Sequence, residues 1–179
     1  MFGASGSGTS TLGRALADAL ASQHFDTDDF VWTPSDPPFQ CKRPETERLT
    51  LMENLFLPRR DWVLSGALDN WGDAVAARLT LAVRLTLDPD IRRARLEMRQ
   101  AQRCGCAQEW GKPLCPSCQA FLSWTDAYEQ SDHPGPTLAK HVAWAKTLPC
   151  PVIVLDSQSP VPRTVEHVME ALDHLVPVA

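Results

Sequence analysis

Two rhythms alternate along the chain, and each alternation predicts an element. Residues 12–21 form an alanine-rich helical run, and His24-Phe25 ends a short strand. Residues 44–57 carry apolar side chains at helical spacing, opened by Pro44-Glu45, a pair suited to a first turn. Trp62-Val63-Leu64-Ser65-Gly66 reads as a buried strand, 69–79 as a helix and 81–87 as a second strongly apolar strand. Asp88-Pro89-Asp90 caps a long arginine-bearing helix that runs to about residue 103. Helices over 119–130 and 137–148, a strand over 152–155 and a last helix over 162–175 complete the pattern. Strands that alternate with helices predict a parallel sheet with helices on both faces, a three-layer α/β fold whose ligands sit at the carboxyl ends of the strands.

At the first of those ends stands Gly3-Ala4-Ser5-Gly6-Ser7-Gly8-Thr9-Ser10-Thr11, directly before the first helix. The phosphate-loop pattern G-x-x-x-x-G-K-S/T is met at Gly3, Gly8 and Ser10, but its lysine is Thr9. Glycines let successive N–H groups point at a polyphosphate, and the helix that follows adds the positive end of its dipole. Neither effect needs the lysine. The lysine brings a mobile positive charge to the phosphoryl group in transfer, so its absence leaves nucleotide binding possible and puts the transfer rate in doubt. Only Met1 and Phe2 precede the loop, where a strand of about five apolar residues is expected. Either this strand is very short or the true start lies a few codons upstream, and the second reading is preferred.

At 179 residues and 44% hydrophobic, the chain suffices for one packed domain, and no composition break divides it. A single domain over 1–179 is expected, with a lid insertion at about 104–118. No apolar run of 18 residues and no charged-then-apolar leader occurs, which excludes a helical membrane span and predicts a cytoplasmic protein. A net charge of -5 argues against a nonspecific nucleic-acid surface.

The loop, Phe25-Asp26-Thr27-Asp28-Asp29-Phe30, and the third-strand segment with Trp71-Gly72-Asp73 together resemble the small P-loop kinases of the adenylate kinase and shikimate kinase type. More narrowly, the chain is similar to bacterial adenylate kinase-like proteins, also labelled AAA-family ATPases or topology modulation proteins, whose loop often reads G-A-S-G-S-G-T. The resemblance covers nearly the whole chain. It implies the P-loop NTPase fold, ATP with magnesium, and phosphoryl transfer to a small acceptor, a nucleoside or nucleotide. In shikimate kinase-like enzymes an Asp-x-Asp after the second strand serves metal and acceptor, and Asp26 and Asp28 match it. The same aspartates also suit a polar turn with a helix cap.

Acceptor candidates are Trp32, Arg43, Gly66 and Trp71, with Lys42, Arg48, Phe39 and Asp73 nearby, although a solvated loop with tethering aromatics fits them too. Arg95 and Arg99, four apart on one helix face that Arg92 and Arg103 extend, are lid candidates; a solvated basic face paired with Glu97 is the alternative. Relatives carry further arginines before a helix with His-x-x-Trp, and of these only Lys140 remains, before His141 and Trp144. Cys104, Cys106, Cys115 and Cys118 fall within fifteen positions, a spacing that predicts a structural zinc site, with unligated thiols as the alternative. Cys41 and Cys150 stand apart as buried thiols, and Trp62, Trp124 and Trp144 as packing residues. Two other functions remain open: a nucleotide-binding regulator with little turnover, and an ATPase-coupled nucleic-acid factor.

Overall fold

The structure, a computed structural model, describes residues 1–36, 38–68, 71–104, 114–130 and 132–175. Strand β1 (Phe2–Gly3) leads through the glycine-rich loop into α1 (Thr9–Ala19). There follow β2 (His24–Asp26), α2 (Thr27–Val31), α3 (Glu45–Leu55), β3 (Val63–Ser65), α4 (Asp73–Ala76) and β4 (Ala82–Thr86). Next come α5 (Pro89–Cys104), α6 (Pro116–Asp126), a 3-10 turn (Ala127–Glu129), α7 (Leu138–Ala145), β5 (Val152–Asp156) and α8 (Val161–Asp173).

All strand pairs are parallel: β2 with β3, β1 with β4, and β4 with β5. The amine of Met1 donates to Leu64 O at 2.6 Å and Gly66 N donates to Met1 O at 2.9 Å, joining the two ladders in the order β2, β3, β1, β4, β5. Helices cover both faces. On one, α1 and α8 bury Leu12, Leu16 and Val168 against Val63, Val83 and Leu85. On the other, Phe30, Met52, Phe56, Leu64 and Val75 form a second core, with Phe25 stacked on Phe56 at 4.4 Å. Phe2 points to that second face and meets Trp144 of α7 edge-on at 4.9 Å. This is the three-layer P-loop NTPase architecture, and it sets β1, with its loop, between strands whose connections lead to opposite sides of the sheet.

Several expectations shift. The helix expected over 69–79 is Asp73–Ala76. Gly72 opens it late, and Arg78 N and Leu79 N turn back to the carbonyls of Val75 and Ala76, tightening its end. Residues 69 and 70 of that expectation lie outside the described residues. An unforeseen helix, α2, follows β2 because the Asp26 side chain accepts from Asp28 N at 3.1 Å and caps it. Cys41 is exposed, contrary to its reading as a buried thiol, whereas Cys150 is half-buried and burial pushes its thiol up. Trp124, 41% exposed, packs at the surface against Phe121 and His133. Among the described residues, no helix is long and apolar enough to cross a membrane.

Candidate functional site

The loop after β1 curls through Gly6 and Gly8, at φ 85° and 91°, a left-handed conformation that any other residue would hold only under strain. Gly8 caps α1, whose Leu12 N bonds back to Gly8 O at 2.9 Å. Over this turn opens a cavity of about 510 Å³. Its floor is Gly6, Ser7, Gly8, Thr9, Ser10 and Thr11; one wall is Arg95, Leu96 and Arg99 of α5, the other the segment from Ser157 to Val161 after β5. Gly3 and Ser5 stand outside the lining, at the loop's entry.

The cavity is lined by polar groups without partners. Ser7 Oγ, Arg99 Nε and Ser157 Oγ are buried and have no hydrogen-bond partner among the described residues. Such groups are costly to bury unless something pairs with them. Arg95 reaches over the loop, its Nη1 4.0 Å from where a β-carbon on Gly8 would stand, and its Nη2 donates to Ser157 O at 3.5 Å. Burial and the nearby Arg103 lower the pKa of Arg99, while the charge of Asp28 opposes them. The helix thus brings two guanidinium groups to the cavity that Thr9, at the place of the missing lysine, also lines.

Below the cavity, Ser10 Oγ donates to Asp26 Oδ2 at 2.6 Å, and Ser65 Oγ donates to the same oxygen at 3.0 Å. Asp26 thus caps α2 through Oδ1 and holds the Ser10 hydroxyl through Oδ2. Asp28 accepts from Trp32 Nε1 at 3.3 Å through Oδ1. Burial, then the charge of Asp26, raises its carboxyl pKa, only partly countered by Trp32.

Other sequence candidates are placed differently. Arg43 Nη1 donates to the carbonyls of Asp29, Phe30 and Trp32 at 2.8, 3.0 and 2.6 Å, so its charge closes the end of α2 instead of facing an acceptor. A β-carbon on Gly66 would fall on the Thr27 hydroxyl; packing within the protein accounts for this glycine. Trp32 lies between Phe39, 5.8 Å away, and Lys42, 5.2 Å away, and Trp71 lies under Arg48 at 5.2 Å, flanking the second core. Arg92 does not extend the cavity face: it is 3% exposed and forms a bidentate pair with Glu129 at 2.9 Å. Arg93 pairs with Glu97 and Asp126. Lys140 Nζ donates to the carbonyls of His133 and Gly135, both at 2.7 Å, which commits it to the loop before α7.

The sulfur atoms of Cys104, Cys115 and Cys118 lie within 4.8 Å of one another, a group able to hold a metal ion. The Ser117 hydroxyl, followed by the neighbouring backbone and thiols, draws the Cys115 thiol down to about 6. Cys106 lies outside the described residues. Sequence reading missed Ser65, His24 and the Ser157–Pro160 segment. The last was findable, since a loop at the carboxyl end of a strand two places from β1 borders the phosphate loop.

No protein-family model matches the chain. The Bacillus subtilis (strain 168) protein YqaC, itself uncharacterized, is 36% identical over 172 residues, covering 96% of this chain and 95% of YqaC. Among solved structures, a shikimate kinase from Bacteroides thetaiotaomicron is similar with a TM-score of 0.55 and 15% identity, over 96% of this chain and 95% of that one. A gluconokinase from Sinorhizobium meliloti matches at 0.51 and 18%, over 97% and 90% of the two chains. A sugar kinase from Janibacter matches at 0.52 and 16%, over 98% and 93%. At these identities the likeness is one of fold, that of the P-loop kinases.

Proposed function

The chain belongs to the family of the uncharacterized Bacillus subtilis protein YqaC, and on that premise we propose that it is a P-loop phosphotransferase that uses ATP and magnesium. The observation that carries this reading is the set of unpartnered polar atoms, Ser7 Oγ, Arg99 Nε and Ser157 Oγ, lining one cavity over a phosphate loop. These donors fit a polyphosphate and its nucleoside, and Ser10 with Asp26 fits a magnesium ion at a hydroxyl whose proton is already engaged.

Mg-ATP, when bound, supplies the γ-phosphoryl group and a divalent charge beside it. The amides of Gly6 to Ser10 and the dipole of α1 hold the phosphates, and Thr9 adds a hydroxyl. Arg95 and Arg99 replace the loop lysine, placing positive charge where the transferred group becomes more negative. Asp28, one oxygen held by Trp32, has Oδ2 left to take the proton of the acceptor hydroxyl, and its raised pKa suits that task. The acceptor is a nucleoside or nucleotide, a reading supported by the rings of Trp32 and Trp71 with Lys42 and Arg48 against them. The chain acts as one cytoplasmic domain over 1–179. A zinc ion held by Cys104, Cys115 and Cys118, with Cys106 as fourth ligand, fastens the end of α5 to the start of α6.

A second reading, a nucleotide-binding regulator with little turnover, is favoured by Thr9 and by the commitment of Lys140 to backbone carbonyls. ADP formation by the purified protein with Mg-ATP and a panel of nucleosides, nucleoside monophosphates and sugar acids separates the two. Turnover that depends on a nucleoside or nucleotide supports the kinase. Mg-ATP binding without acceptor-dependent turnover supports the regulator, and absence of binding overturns both.

A further inference from the structure

Asp26 Oδ2 is where two hydroxyl groups meet, Ser10 at 2.6 Å and Ser65 at 3.0 Å. A carboxylate oxygen can only accept, so both hydroxyl protons point at it. Ser65 has a single proton and has spent it there. Its remaining contact, His24 Nε2 at 2.8 Å, must therefore be an N–H that donates to Ser65 Oγ. Ser65 is 0% exposed, so no bulk water can replace that donor. The bonds have one direction: His24 to Ser65, Ser65 to Asp26, with Ser10 donating from the other side. Ser10, which lines the phosphate cavity, is left with its lone pairs toward the cavity.

The helix is shaped around this contact. A β-carbon on Gly13, inside α1, would stand 2.5 Å from His24 Cδ2 and 2.6 Å from Nε2. Glycine is an unfavourable residue in a helix interior, and here it makes room for the imidazole that reaches Ser65. Neither His24 nor Gly13 touches the cavity.

We infer that His24 is a positioning residue for the Ser10 hydroxyl: through Ser65 it fixes Asp26, so that Ser10 presents lone pairs to the magnesium ion of a bound nucleotide. The inference rests on the Mg-ATP reading above. Outer partners that orient a metal ligand act on metal affinity more than on the fold.

The experiment is calorimetric titration of ATP with and without magnesium, for the wild type, His24→Phe, His24→Gln and Gly13→Ala. Phenylalanine keeps a ring of similar shape without a donor; glutamine keeps an N–H that reaches Ser65. In the wild type magnesium strengthens ATP binding. In His24→Phe that gain falls about tenfold, the low end for groups that orient a metal ligand, while metal-free ATP affinity is retained. His24→Gln keeps most of the gain, and Gly13→Ala, which pushes the imidazole off Ser65, loses it as His24→Phe does. If His24→Phe does not fold, Gly13→Ala and His24→Gln carry the same test. A full magnesium gain in His24→Phe or Gly13→Ala, or a loss in His24→Gln as large as in His24→Phe, overturns the inference and leaves the Mg-ATP reading standing. No magnesium gain in the wild type overturns both.

Discussion

Along α5 the same residue type is put to opposite ends. Arg92 and Arg93 are neutralised: Arg92, with a side chain 4% exposed, is gripped by both oxygens of Glu129 and lies over the Tyr128 ring at 5.1 Å, and Arg93 is paired with Glu97 and Asp126. Arg95 and Arg99, three and seven residues after Arg92, line the phosphate cavity, where among the described residues Arg95 reaches a carbonyl and Arg99 keeps an unpartnered Nε. A paired buried arginine holds the helix in place, whereas an arginine without a carboxylate against it is ready to receive an anion. What separates the two pairs of cations is the partner, not the residue.

The sharpest way to break the comparison is Arg99→Ala. If the cavity face carries the transfer chemistry, loss of one oriented charge lowers the rate about 10²- to 10³-fold, read as ADP formation, while the melting temperature moves little. At the paired arginine, Glu129→Gln leaves the buried Arg92 charge without a counter-ion. The expected cost is about 3 kcal/mol, read as a drop in melting temperature of roughly 6–12 °C; a drop of only a degree would place Arg92 among the solvated cations.

Asp28→Asn sharpens the contrast between function and stability at one residue. Because burial raises the Asp28 pKa in the folded state, its carboxyl adds stability below its unfolded value of 3.8, and this is lost as pH rises through the folded value. Asp28→Asn is therefore expected to hold or raise the melting temperature at neutral pH while phosphoryl transfer is lost. A fall in melting temperature at neutral pH would contradict this. The smallest effect is expected at the far end of α5. Protein purified without chelator should contain close to one zinc per chain, and Cys115→Ser should lower that content with little change in ATP affinity; a zinc content unaffected by Cys115→Ser would leave these thiols as packing residues.

The layered fold was legible because short apolar runs at 62–66, 81–87 and 152–155 alternate with helical segments from Leu12 to the last helix. The phosphate loop was legible because its glycines and hydroxyls are contiguous. What the sequence could not reveal is pairing across distance. Arg92 and Arg99 look alike in a helical run, and only Glu129, 37 residues away from Arg92, tells them apart. Arg43 sits among aromatics as an acceptor-binding cation would, yet three carbonyls of α2 and its end claim it. Ser65 and His24 were invisible as site residues because their meaning depends on β2 and β3 lying side by side, with His24 in register with Val63 and Asp26 with Ser65.

That Arg95 and Arg99 stand in for the missing loop lysine is the central claim, and a double-mutant cycle tests it most directly. ADP formation is measured for the wild type, Thr9→Lys, Arg95→Ala with Arg99→Ala, and all three changes together. The account predicts that Thr9→Lys adds less than about tenfold to the wild type, where the charge is already present, and restores a much larger factor when both arginines are gone. Equal gains in the two backgrounds would show that lysine and arginines act independently, and would contradict it.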